Sequence, residues 1–302
     1  MRRVLTFVVN KDDSDANIAD FLLSKSISRS CISALKKEPE GISVNGKIQF
    51  TDFILKENDI VKISLTERND YTQIIPNKLN FKVVYEDEDI IIIDKPANMT
   101  VHPSFKYFTE SLENGLAYYF LERNQDVVCH FINRLDKDTT GLMIVAKNRF
   151  SANILSQALI KKEIQRNYLA LVMGHLKNKT GVINAPVERE NPASIIRTVD
   201  FENGKTAITS YEVLSYNPHN DVSLVKLELL TGRTHQIRVH MKYLGHPLIG
   251  DKLYNKTNQQ LNRQALHSYY LSFNHPITNK KMTFKSEIPL DFTTLVNKCY
   301  NK

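Results

Sequence analysis

The sequence predicts an α+β protein in two parts, a small domain over residues 1–66 and a larger one over 79–302. Three observations carry this. Near the start, apolar residues recur at helical spacing and then give way to short alternating runs around an Asn-Gly turn. Over residues 67–78 the composition shifts to charge, Asn, Gln and Pro76 with little periodicity, the mark of a linker. Further on, residues 142–146 form an unbroken apolar run rich in branched side chains, which predicts a strand buried on both faces.

Bulk composition narrows the function classes. A hydrophobic share of 42% and a charged share of 24% are those of a soluble globular protein. The net charge of +7 favours a polyanionic partner, nucleic acid before membrane. Cys31, Cys129 and Cys299 are scattered and outside any Cys-x-x-Cys pattern, so a reducing compartment and no disulfide frame are expected. The apolar stretch 4–9 is too short for a secretory signal, and no segment reaches the length of a membrane span. The expected location is the cytoplasm.

In the first domain Ile18, Phe21 and Leu22 fall on one helical face. Ser28 or Ser30 can cap a second helix carrying Ile32 and Leu35, with Arg29, Lys36 and Lys37 around it. Glu38-Pro39 ends that helix, because the residue before proline avoids the helical region. Ile42-Ser43-Val44 alternates into the turn Asn45-Gly46, a hairpin signal, and Asn58-Asp59 leads into another alternating run at 60–65. Ser28-Arg29-Ser30, Val44-Asn45-Gly46-Lys47 and Asn58-Asp59-Ile60 resemble the alpha-L RNA-binding domain, with a longer Lys36-Lys37-Glu38-Pro39-Glu40 turn and Asn58 in place of the usual Gly. The resemblance implies RNA contacts through Arg29, Lys36 and Lys37. A generic small α+β domain with a solvated basic face is the plainer reading.

The larger domain opens with two strands, 83–85 and 90–93, paired about the acidic turn 86–89. Asp94-Lys95-Pro96-Ala97-Asn98 then turns the chain; Lys95 is a candidate to face an anion, against the commoner case of a surface lysine. A helix is expected at 112–121 and another at 151–163, with Ile154, Leu155, Ala158 and Leu159 on one face and Lys161, Lys162 and Arg166 gathered at its end. Tyr168 opens an apolar strand, residues 182–199 read as a polar, flexible excursion, and Val225, Leu227 and Leu229 alternate as a half-buried strand. Ile237, Met241 and Leu244 predict a helix with Thr234 as a possible cap. Arg233 then sits beside a helix start, a setting that favours an anion. His235 and His240 are five apart and the other histidines have no metal spacing, so a zinc site is not expected. Further strands and a closing helix near 292–296 complete the chain.

The chain is organised around residues 133–147, NRLDKDTTGLMIVAK. Asp136 and Asp138 lie in a polar loop with Arg134, Lys137, Thr139, Thr140 and Gly141, at the mouth of the buried strand. A charged turn capping a core strand is the bland reading; acid and base groups presented by a rigid scaffold is the functional one.

Taken in order, Asp94-Lys95-Pro96-Ala97, Val101-His102-Pro103, Arg134 to Gly141, Arg166-Asn167-Tyr168-Leu169-Ala170, Thr231 to Arg238 and Gly245-His246-Pro247-Leu248 resemble the RluA-type pseudouridine synthases over residues 79–302. The departures are Asn133 for the usual His, Thr140 for Ser, Arg166 for Lys and Asn98 for Gly. The resemblance implies that family's fold, a central mixed, mostly antiparallel sheet flanked by helices and loops. It also implies an isomerase that detaches uracil from C1′ of a uridine in RNA and rejoins it through C5, with no cofactor and no metal. Asp136 would be the essential carboxylate, Tyr168 the neighbouring proton-handling group, Arg233 the partner of Asp136, and Arg134 the group holding the base out of its stack. Ribosomal RNA is the first expected substrate and transfer RNA the second. A non-catalytic RNA-binding or ribosome-assembly factor would explain the charge and the first domain equally well. A glycosidase-like hydrolase would want two cooperating carboxylates, for which Asp138 is available.

Overall fold

The computed structural model describes residues 2–67, 73–257 and 260–296. Its first part is a four-stranded antiparallel sheet in the order β1-β4-β2-β3, formed by β1 (Arg2–Val8), β2 (Ile42–Val44), β3 (Lys47–Ile48) and β4 (Ile60–Thr66). Helices α1 (Ile18–Ser24) and α2 (Arg29–Leu35) cover it, capped by Asn17 and Ser28, whose side chains accept from the Asp20 and Cys31 amides. Both residues of the Asn45-Gly46 turn have positive φ, the geometry that matches strand twist in a two-residue hairpin. Phe21, Leu22, Ile32, Leu35, Val61 and Ile63 form the core here, and Phe150 of the larger part is buried among them.

The second part is a ten-stranded sheet. Its strands are β5 (Lys82–Glu86), β6 (Ile90–Lys95), β7 (His130–Phe131), β8 (Thr140–Ala146), β9 (Gln165–Met173), β10 (Thr180–Asn184), β13 (Ile208–Asn217), β14 (Val222–Leu229), β15 (Leu266–Asn274) and β16 (Lys281–Lys285). The path runs β10-β13-β14-β9-β15-β8-β6-β5, with β16 on β15 and β7 on β8. The β8–β15 pair is parallel and the other ladders are antiparallel. The expected α+β fold, with a mixed and mostly antiparallel sheet, is the one observed.

Neighbouring residues on the central strands serve opposite cores, which is why their sequences lack a polar alternation. Ile91 and Ile93 of β6 and Met143 and Val145 of β8 pack under α3 (Leu112–Leu121). Ile90, Ile92, Leu142 and Ile144 pack instead with Leu155 of α4 (Arg149–Ile160). The segment expected to be a flexible excursion holds β10 and a two-stranded ribbon, β11 (Val187–Arg189) with β12 (Arg197–Val199). Helices α5 (Gln236–Tyr243) and α6 (Leu290–Val296) complete the order. The cap expected of Thr234 is absent: His235 holds the N-cap position in the left-handed region and makes no side-chain cap bond.

The two parts meet at the acidic turn. Arg3 of β1 donates through Nε and Nη2 to the two carboxylate oxygens of Asp89, each at 2.8 Å. Asp89 also accepts from Asn148 and Ser151 at the start of α4. Asp87, Asp89 and His275 gather there; Arg3 pairs with Asp89, while Asp87 accepts from the Tyr85 hydroxyl and faces His275 Nε2 at 2.9 Å. Cys31 and Cys129 are free thiols; Cys299 and part of the expected linker lie outside the described residues. Among the described residues no helix is long and apolar enough to cross a membrane.

Candidate active site

The loop between β7 and β8 carries Asp136, and a set of long-range bonds holds it. Asn133 is buried and accepts from the Ile144 amide at 2.9 Å. Lys95, fully buried, donates to the carbonyls of Pro96, Met99 and Lys137 at 2.8, 2.9 and 2.8 Å. Arg263 donates to the Asp138 carbonyl at 3.2 Å while its other two prongs hold Asp291. Gln264 reaches Thr139, and His267 pairs with Thr140. Burial, opposed by Asp138 and Asp136, pulls the Lys95 ammonium down to about 7.

Gly141 has φ 111°, and a Cβ there would lie 2.2 Å from the Ser268 carbonyl oxygen, so glycine alone fits where β8 starts against β15. One rung then runs from Gly141 through Ser268 to Tyr168 across β8, β15 and β9. That register brings Tyr168 beside the loop. Its phenol is 3% exposed, and burial first, with a smaller push from Asp136, raises its pKa against the opposing pull of Arg166 and Ser268. At neutral pH it is a protonated donor.

Arg238 of α5 reaches the Asp136 carboxylate at 2.9 Å through Nη1. Its Nε and Nη2 hold Asp251, a fully buried carboxylate, at 2.7 and 2.8 Å. Asp251 also accepts from the Leu253 and Tyr254 amides. A buried acid thus fixes the fork, and the fork's free prong aims at Asp136, which keeps about a quarter of its side-chain surface exposed. His235 stands 3.8 Å from the same oxygen. The Tyr254 hydroxyl accepts from the Arg197 amide and so has its proton for His235 Nδ1, 2.8 Å away. This leaves the His235 proton on Nε2, toward Asp136, and burial holds the ring's pKa below its usual value.

Asp136, Tyr168 and Arg238 line a cavity of about 60 Å³ floored by Leu229, Ile237 and Leu266. It opens into a groove of about 690 Å³ bordered by Arg134, Lys137, Lys162, Arg166 and Arg233, with Asp136 the acid among its lining residues. The arrangement presents one oriented carboxylate and one buried phenol at the end of a cationic channel.

A family model described as RNA pseudouridylate synthase matches residues 89–243. The chain is 37% identical to the uncharacterized RNA pseudouridine synthase YjbO of Bacillus subtilis, over 89% of this chain and 94% of that one. It is 35% identical to the ribosomal large subunit pseudouridine synthase D of Buchnera aphidicola, over 92% of each. The chain belongs to the RNA pseudouridylate synthase family. Its motifs are those of the RluA type, and the protein is an RNA pseudouridine synthase, an isomerase. In solved structures the fold is shared with human RNA pseudouridylate synthase domain containing 1, at a TM-score of 0.58 and 24% identity over 74% of this chain and 96% of that one.

Two expected site residues of the synthase stand elsewhere. Arg233 does not pair with Asp136: it lies in the exposed loop before α5, and its Nε donates to the Thr206 carbonyl at 3.1 Å. Arg238, in the first turn of the helix, takes that place. The signal for it was in the motif itself, since Arg238 precedes Met241 by three and so shares its buried helix face. Lys95 is not available to RNA, because its three protons are spent on backbone carbonyls inside the protein. Arg134 is exposed at the groove, and Arg29, Lys36 and Lys37 are exposed around α2. Arg166, grouped with Lys161 and Lys162 in the sequence, parts from them: the two lysines are exposed and Arg166 is buried.

Proposed function

We propose that this synthase converts uridines of structured RNA, ribosomal RNA of the large subunit first, to pseudouridine in the cytoplasm, with Asp136 as the essential carboxylate and without a cofactor. The observation that carries the assignment of Asp136 is its bond to Arg238. A guanidinium itself anchored on a buried acid holds a carboxylate in one orientation while one side stays open to the groove. Tyr168 handles a proton beside it, and Arg134 supports the flipped base, since an atom inside a helical stack cannot be reached. The bonds balance within one molecule. The N1–C1′ bond breaks, the C5–C1′ bond forms, and the proton lost from C5 is replaced at N1, so no oxidant, reductant or group donor enters. Transfer RNA is the second substrate class. The preference for ribosomal RNA draws on the name of the Buchnera relative and on the basic residues Arg29, Lys36 and Lys37 carried in front of the catalytic part.

Asp136→Asn tests the role of Asp136. Because C5 loses its hydrogen, tritium at that position of an RNA uridine is released on each turnover. The variant should release none while binding RNA as the wild type does; appreciable release would refute the assignment. Mapping pseudouridines in ribosomal and transfer RNA from cells with and without the gene identifies the substrate, and unchanged ribosomal RNA would overturn that preference.

A further inference from the structure

Among the described residues, one buried cation of the groove has no partner. Arg166 is 8% exposed and lies in β9 two residues before Tyr168, so strand alternation puts both side chains on one face, and both line the groove. Among the described residues its guanidinium makes no hydrogen bond or ion pair, and its Nε is shut off from solvent with no acceptor. The other buried arginines of the site differ sharply. Arg238 spends its donors on Asp251 and Asp136, and Arg263 on Asp291 and three carbonyls. A guanidinium carries five donors and no acceptor, and withdrawing its charge from water is unfavourable unless an acceptor replaces the water. Space for one exists beside it. A Cβ on Gly232 would stand 3.5 Å from Nη1, so the absent side chain leaves that flank of the fork open to the groove.

We infer that Arg166 grips a phosphodiester of the RNA next to the target uridine, anchoring the backbone while the base occupies the cavity beside Asp136. The inference rests on the RNA reading above and names the contact at that site. The ligand's chemistry follows from the donor set. A planar fork that is open, cationic and poorly hydrated suits a two-pronged oxyanion, and the anion that must accompany a uridine into this groove is its own backbone phosphate. Arg166 is therefore a positioning residue, acting through the sugar-phosphate on where C1′ sits relative to Asp136.

The test uses the full chain with uridine, uridine 5′-monophosphate and uridine 3′-monophosphate, binding being followed by calorimetry or NMR. The wild type should bind one monophosphate about tenfold more tightly than uridine, the scale of a charge-assisted pair, and which one shows the side of the uridine that is held. Arg166→Gln should bind nucleotide and nucleoside alike, and Arg166→Lys should keep part of the preference. On RNA, Arg166→Gln should lower the slope of log affinity against log salt by about one. A purely structural arginine would lower thermal stability and leave the preference intact, and that outcome refutes the proposal. A wild type that does not distinguish the monophosphates from uridine refutes it too. Should Arg166→Gln fail to fold, Arg166→Lys decides, since full wild-type preference there rules out a two-pronged grip. Tritium release by the wild type is measured in parallel. A protein that prefers the monophosphate through Arg166 yet releases no tritium would overturn the proposed function and leave the phosphate contact standing.

Discussion

Arg238→Ala removes the residue on which the site's geometry depends, and its cost follows from the contacts. The arginine side chain is 6% exposed and the Asp251 side chain 0%, so their two-pronged pair is out of water. Taking away one partner of a buried pair costs about 3–5 kcal/mol, because the other charge is left without compensation. Two features place this case near the lower end. Asp251 keeps two amide donors, from Leu253 and Tyr254, and Asp136 is a quarter exposed, so water replaces much of its share. A loss of about 3 kcal/mol should appear in urea unfolding as a lower midpoint at unchanged slope. The single-turnover rate at saturating RNA should fall to near background, since Asp136 loses the cation that aims it. Arg238→Lys should recover part of both, because lysine restores charge without the fork. Arg233→Ala provides the contrast: with its exposed side chain it should weaken RNA binding and leave the saturated rate unchanged. Wild-type stability and rate in Arg238→Ala, or a lost saturated rate in Arg233→Ala, would refute the assignment of Arg238 as the partner.

Two further variants probe the loop that carries Asp136. Lys95→Met leaves the Pro96 and Met99 carbonyls without a donor and the Lys137 carbonyl with the Met99 amide alone, and should cost about 3 kcal/mol in urea unfolding. The wild type also carries a pH signature here. The unfolded chain keeps the Lys95 proton up to the ordinary value of 10.5 while the folded chain releases it near 7. The unfolded state therefore binds more protons in that window, and this group adds stability as pH rises through it. Lys95→Met should lack that rise, and parallel pH profiles of the two proteins would refute the burial argument. Gly141→Ala drives a Cβ into the Ser268 carbonyl at a φ that side chains rarely adopt, and should cost about 3 kcal/mol or more in soluble yield and unfolding midpoint. A wild-type midpoint there would show that β8 and β15 can part without loss.

Much of the synthase was legible before any fold was drawn. The apolar run at 142–146 signalled its two-sided burial because no polar alternation was there to give it a wet face. The Asn45-Gly46 turn and the helix at 112–121 were equally plain, since turn chemistry and helical spacing are properties of a few adjacent residues. Asp136 and Tyr168 were picked out from their motif settings, and the groove holds both. What spacing along the chain did not convey is which side chains face each other across it. Asp136 and Arg238 are 102 residues apart and meet because the loop before β8 and the helix after β14 come together over a sheet whose path runs β14-β9-β15-β8. The three basic residues Lys95, Arg166 and Arg233 look alike in sequence and end in a buried carbonyl cage, an unpartnered groove wall and an exposed loop. Their fates were decided by desolvation, because the same charge is stabilised by water at the surface and must find acceptors inside, and only the packed structure says which of the two it meets.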